Sequence, residues 1–238
     1  MTDAPGASKV VAEPAIILLV LAAALAACRP SPSSSPAPSP PAAAASTPAL
    51  AAADAPVVLF VGDSLTAGFG LDPDQAFPAL IQGKIDAAGL RFRVVNAGVS
   101  GETSAGARRR IDWLLAQPVA VLVLETGGND MLRGQDPAAT AENIQAIIDR
   151  ARREPSPPKI LVVGMQAPPN YGADFARRFR SLYPELAKKN GAVLVPFLLD
   201  GVAGVPALNQ ADGIHPTAEG QRMLAETVWK ALQPLLAG

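Results

Sequence analysis

The chain has 238 residues, 49% of them apolar, with one histidine, one cysteine and a formal net charge of −1. That length and apolar content accommodate one sizeable core, or one core with an appendage. A charge so close to zero excludes the broad basic field by which a nucleic-acid binder collects phosphates. A single thiol excludes an internal disulfide.

In chain order, the first organised feature is the apolar run from Ala15 to Cys28. It is too short to span a bilayer comfortably and reads as the hydrophobic region of a secretory signal, although Lys9 is offset by Asp3 and Glu13, so the positive n-region is poor. Leu25-Ala26-Ala27-Cys28 resembles the lipobox of bacterial lipoproteins, which implies acylation of Cys28 as the new N-terminus. Two or more acyl chains anchor a protein stably. The expected location is therefore exported and lipid-anchored to a bacterial membrane, facing the periplasm or at the cell surface. Residues 29–55 are almost entirely Pro, Ser and Ala, a composition that buries little and predicts an extended or disordered tether. Residues 56–238 are expected to form the folded domain.

Within that domain, short Val/Leu-rich runs predict strands at Val57 to Val61, Phe92 to Val95, Ala120 to Leu124, Ile160 to Val163 and Ala192 to Phe197. Helix-compatible stretches lie between and after them, at Gln75 to Ala88, Ser104 to Ala116, Ala138 to Arg153, Ala173 to Lys189 and Thr217 to Leu235. Such alternation predicts an α/β fold: a five-stranded parallel sheet with right-handed crossovers and helices on both faces.

In an open parallel sheet, ligands collect beyond the carboxyl ends of the strands. Polar clusters sit there in this chain: Gly62-Asp63-Ser64 after the first strand, Ser100-Gly101-Glu102-Thr103 after the second and Gly127-Gly128-Asn129-Asp130 after the third. The turn Asp212-Gly213-Ile214-His215-Pro216 precedes the last helix and is able to fold back over the same edge. A serine hydroxyl needs a positioned base, and that base needs a carboxylate to set its tautomer; Ser64, His215 and Asp212 supply these three types. Charge developing on an acyl oxygen needs fixed donors, for which the backbone N–H groups of Ser64 and Gly101 and the Asn129 amide are candidates. Taken singly, each residue is better explained by turn or cap chemistry than by function; taken together they are not.

The four blocks Gly62-Asp63-Ser64-Leu65, Ser100-Gly101-Glu102-Thr103-Ser104, Gly127-Gly128-Asn129-Asp130 and Asp212-Gly213-Ile214-His215-Pro216 resemble, in order, those of the SGNH (GDSL) hydrolase family. The likeness is greatest to its bacterial thioesterase I, lysophospholipase and arylesterase branch. The resemblance implies a flavodoxin-like three-layer fold, Ser64 as nucleophile, Gly101 and Asn129 as oxyanion-hole donors, and Asp212 with His215 completing a triad. It implies two-step acyl transfer from an ester or thioester to water by a monomer, with no metal or organic cofactor. It also implies that Met131 and Leu132 in the segment after the asparagine block, and Ala167, Pro168 and Tyr171 in a later one, close over the acyl chain. Family members commonly carry a bulkier apolar residue where this chain has Ala167.

A carbohydrate acetylesterase of the same superfamily would share every one of these catalytic residues, and a surface-tethered binding module is the alternative outside enzymes. Asp63 and Asp130 are expected to orient the motif loops. Arg108-Arg109-Arg110 and Arg177-Arg178 are expected to face solvent.

Overall fold

The structure, a computed structural model, describes residues 54–237; the leader, Cys28 and the tether as far as residue 53 lie outside the described residues. The sheet contains β1 (Val57–Gly62), β2 (Arg93–Gly98), β3 (Val119–Glu125), β4 (Lys159–Val163) and β5 (Val193–Val195), in spatial order β2-β1-β3-β4-β5 with every pair parallel. All six residues of β1 are buried, as a strand covered on both faces requires, whereas β2 at the sheet edge is only partly so.

The helices are α1 (Ser64–Ala67), α2 (Phe77–Ala87), α3 (Ser104–Leu114), α4 (Gly128–Leu132), α5 (Pro137–Ala151), α6 (Ala173–Asn190) and α7 (Ala218–Leu236). Right-handed crossovers sort the longer ones between the two faces. The step from β1 to β2 runs one way along the sheet, and the steps from β2 to β3, β4 and β5 run the other, so α2 lies opposite α3, α5 and α6. The packing follows this sorting: α3 packs on α5 and α5 on α6, while α2 packs on α7. The result is the three-layer arrangement expected from the sequence.

The reversal of direction occurs between β1 and β3, and a crevice opens beyond their carboxyl ends at that switch point. Gly62 ends β1 and Glu125 ends β3 at its floor. Three sequence expectations change here. The last strand stops at Val195 rather than Phe197, because Pro196 has no N–H to continue the ladder; Gly164 donates to Val195 O and Leu198 to Gly164 O instead. The segments after β1 and β3 are single helical turns, α1 and α4, too short to show a helical period. Arg108, Arg109, Arg177 and Arg178 do face solvent, but Arg110 folds back to a bidentate pair with Glu102, where both side chains are largely covered.

Candidate active site

Ser64 is carried by the tight passage from β1 into α1. The Asp63 side chain caps that turn, its Oδ1 accepting from the Leu65 N–H at 3.0 Å. Ser64 is the first residue of α1, so its own N–H has no acceptor within the helix. Gly62 is required for close approach: a β carbon there would lie 2.0 Å from Thr66 Oγ1 and 2.6 Å from Glu125 Oε2.

His215 arrives from the other end of the chain. Asp212 organises its turn by accepting the backbone N–H groups of Ile214 (2.9 Å) and His215 (3.0 Å) on Oδ1, and His215 Nδ1 on Oδ2 at 2.6 Å. These donors hold the Asp212 carboxyl far below the usual carboxylate range. It is therefore an ionised acceptor at any working pH, which places the imidazole proton on Nδ1. Nε2 is left with a lone pair, 3.0 Å from Ser64 Oγ. Phe69, just beyond α1, lies against the ring with centroids 4.5 Å apart. Gln210 ties the two segments together, its Nε2 donating to the carbonyls of Phe69 (2.7 Å) and Pro216 (3.0 Å).

Asn129 and Gly101 complete the crevice. Asn129 stands on α4 and donates one amide hydrogen to Asp63 Oδ2 at 3.2 Å, leaving the second free to point elsewhere. Gly101 has φ +78°, a conformation that L side chains rarely adopt, and its carbonyl accepts from Arg133 at 2.9 Å. The protein leaves space for a β carbon at Gly101, so the requirement for glycine comes from this backbone angle rather than from crowding within the molecule. Fully buried Asp130 locks the two loops together by accepting Ser104 N–H (2.8 Å), Ser104 Oγ (2.5 Å) and Thr140 Oγ1 (3.3 Å). Asp63 and Asp130 thus orient the motif loops, as their positions in the sequence suggested. Asp130→Ala strands the buried Ser104 donors and is expected to cost on the order of 3 kcal/mol, or on the order of 8 °C in Tm, read by thermal unfolding.

Comparison with known proteins agrees with this geometry. The family described as GDSL-like lipase/acylhydrolase matches residues 60–223. The chain belongs to that family. It is 45% identical over 185 residues to the esterase TesA of Pseudomonas aeruginosa, a match covering 77% of this chain and 91% of that one. It is 38% identical over 187 residues to the thioesterase 1/protease 1/lysophospholipase L1 of Escherichia coli K12, covering 78% and 87%. The crystal structure of the psychrotrophic esterase EstA from Pseudoalteromonas sp., inhibited by monoethylphosphonate, superposes with a TM-score of 0.71 at 30% identity, covering 76% of this chain and 99% of that one.

In this family member the crevice opens into a predominantly apolar cavity of about 680 Å³, with Ser64, Gly101, Asn129 and His215 at its polar end. Met131, Leu132, Ala167 and Pro168, read from the sequence as acyl contacts, all line it. Tyr171 is not among its lining residues; it stacks on Phe175, centroids 5.7 Å apart, at the start of an aromatic row continuing through Phe179 to Tyr183. The cavity also takes Phe69, Met165, Phe197, Leu199 and Ile214, none of which the sequence singled out. Phe69 was legible in principle, as an aromatic residue in an aromatic-poor chain five positions beyond Ser64. Among the described residues no group of His, Cys, Asp and Glu side chains is arranged to hold a metal ion, and no helix is long and apolar enough to cross a membrane.

Proposed function

We propose that this enzyme hydrolyses carboxylic ester or thioester bonds of apolar acyl substrates by two-step acyl transfer. The observation that carries the reading is the continuous line Ser64 Oγ, His215 Nε2, His215 Nδ1, Asp212 Oδ2, with contacts of 3.0 and 2.6 Å, at the polar end of an apolar cavity. Ser64 Oγ attacks the carbonyl carbon while Nε2 takes its proton, and Asp212 stabilises the imidazolium that results. The N–H groups of Ser64 and Gly101 and the second hydrogen of the Asn129 amide receive the charge that develops on oxygen. His215 then protonates the departing alkoxide or thiolate, and water, deprotonated by the same imidazole, releases the acid from the acyl-serine. The names of the relatives, esterase and thioesterase/lysophospholipase, support this substrate class.

The test is covalent. A p-nitrophenyl alkylphosphonate is expected to release one equivalent of nitrophenol and leave a phosphonyl group on Ser64, located by peptide mass spectrometry; modification elsewhere, or none, overturns the assignment. Substrate class is read from rate series. The apolar lining predicts that kcat/KM rises with acyl length, by up to about fourfold per methylene while the chain still finds buried surface. A rate that is highest for acetyl groups on sugars and falls with longer chains would favour the carbohydrate acetylesterase reading.

We further propose that the enzyme is exported and held at a bacterial membrane by acyl chains on Cys28, and that one chain suffices for activity, since every residue of the site comes from a single copy. Incorporation of labelled palmitate into the native chain and its absence from Cys28→Ser is the expected result.

A further inference from the structure

Behind Ser64 the cleft floor holds two carboxyl groups that the acyl-transfer steps do not use. Glu125, the last residue of β3, is 1% exposed, and Asp63 beside it is 3% exposed. Glu125 Oε2 accepts from the Asp63 N–H at 3.2 Å and from Thr66 Oγ1 at 2.7 Å. Oε1 is fully buried and no donor reaches it. An ionised oxygen in that position would be an orphaned acceptor, whereas a protonated one is a donor that needs an acceptor. Asp63, whose backbone N–H already bonds to Glu125 Oε2 and whose carboxyl charge acts on Glu125, is the candidate acceptor. Asp63 has its own two donors, Leu65 N–H on Oδ1 and the Asn129 amide on Oδ2. The glycines of the motifs make room for the assembly: a β carbon on Gly62 would strike Glu125 Oε2, and one on Gly128 would stand 3.0 Å from Asp63 Oδ2.

We infer that Glu125 is a positioning residue for the oxyanion hole: by sharing one proton with Asp63 it fixes the Asp63 carboxylate, which in turn orients the Asn129 amide toward the reacting carbonyl. This inference rests on the acyl-transfer reading of the site.

Electrostatics support the placement of the proton. Burial, and then the adjacent Asp63 charge, push Glu125 up to about 8, while burial, opposed by the Leu65 N–H and by His215, raises Asp63 only to about 6. Between those values the pair holds one proton. The other groups facing it are Thr66 on α1, Asp130 on α4, His215 on the turn before α7 and Tyr183 on α6, whose hydroxyl donates to Thr126 O and is itself held well above its usual range by burial and these carboxyls. When the shared proton leaves, two buried charges repel each other and Asp63 loses its fixed position. Asn129 then loses the partner that aims it.

The experiment measures kcat and KM on an aryl ester from pH 6 to 10 for the wild type, Glu125→Gln and Glu125→Leu. The wild type is expected to lose kcat above about pH 8. Glu125→Gln keeps both the acceptor oxygen and a donor to Asp63 but cannot ionise, so at pH 7 its kcat stays within about threefold of wild type and the alkaline loss disappears. Glu125→Leu, which retains no polar atom, is expected to lower kcat on the order of 10²-fold with KM nearly unchanged, in line with the loss of one oxyanion donor. An alkaline limb that persists in Glu125→Gln, or a deficit that lies in KM, overturns the inference even if Glu125→Leu fails to fold. Titration of Ser64 with the phosphonate separates the two hypotheses. A wild type that forms no adduct refutes acyl transfer itself, whereas adduct formation with an unaltered pH profile in Glu125→Gln refutes only the positioning role.

Discussion

Ser64→Ala is expected to lower kcat on a short-chain aryl ester by about 10⁴-fold or more while leaving the thermal unfolding midpoint within a few degrees of wild type. The two effects separate because of what Ser64 touches. Its hydroxyl meets His215 Nε2 at 3.0 Å, and the turn around it is held by other groups, namely Asp63 Oδ1 on the Leu65 N–H and Gln221 Nε2 on the Leu65 carbonyl at 3.2 Å. Removing the oxygen therefore removes the atom proposed to attack and little else. The residual rate reports what the oxyanion donors and the cavity do for direct attack by water, which in comparable sites leaves a measurable excess over the uncatalysed reaction. Steady-state rates, checked by mass spectrometry for trace wild-type contamination, measure the loss. A variant within tenfold of wild type would remove Ser64 from the mechanism.

Asp212→Asn should lower kcat on the order of 10⁴-fold although the new side chain is almost the same shape. An asparagine oxygen still accepts the N–H groups of Ile214 and His215, so the turn survives. Its amide, however, presents a donor to His215 Nδ1 where the carboxylate accepted at 2.6 Å, and the imidazole must carry its proton on Nε2 instead. A protonated Nε2 has no lone pair for the Ser64 hydroxyl. The pH dependence carries a second signature. The Asp212 carboxyl sits well below its usual range in the folded protein, so its contribution to stability is complete above the ordinary carboxylate range and fades as acidification approaches the depressed value. Replacing it with asparagine removes that acid sensitivity, and urea unfolding of the two proteins below pH 4 is expected to show a smaller pH slope for the variant. Equal slopes would mean that the hydrogen bonds around Asp212 are weaker in solution than their geometry implies.

Much of this arrangement was legible before any coordinates. The continuous apolar runs of β1, β3 and β4 could only be strands covered on both faces, and the polar residues directly after them had to gather at one sheet edge once the strands were parallel. Ser64, Gly101, Asn129, Asp212 and His215 were each identifiable on that basis, aided by the order of the motifs. Other features escaped, Arg110 and the cavity residue Phe69 among them. Pro196 truncated β5 by a rule that the apolar run concealed. One-turn helices such as α1 and α4 are shorter than the period that would reveal them. Tyr171 has the right chemistry for an acyl contact but stacks into the row on α6, a choice set by packing. Glu125 carries a signal of its own, a carboxylate continuing the apolar strand run Val119 to Leu124 without a break.

The division has a physical origin. Period, turn chemistry and the identity of reactive groups are properties of neighbouring residues, so the chain by itself determined that a parallel α/β domain would bring a serine, a histidine and an aspartate to one rim. Distances between groups far apart in sequence are not local properties. That Nε2 faces Oγ across a separation of 151 residues, that Phe69 covers the imidazole, and that Glu125 lies against Asp63 with one oxygen unpartnered follow from how helices on opposite faces pack against the sheet. Only the tertiary structure decided those contacts, because burial and charge act through space and depend on whatever the fold has placed alongside.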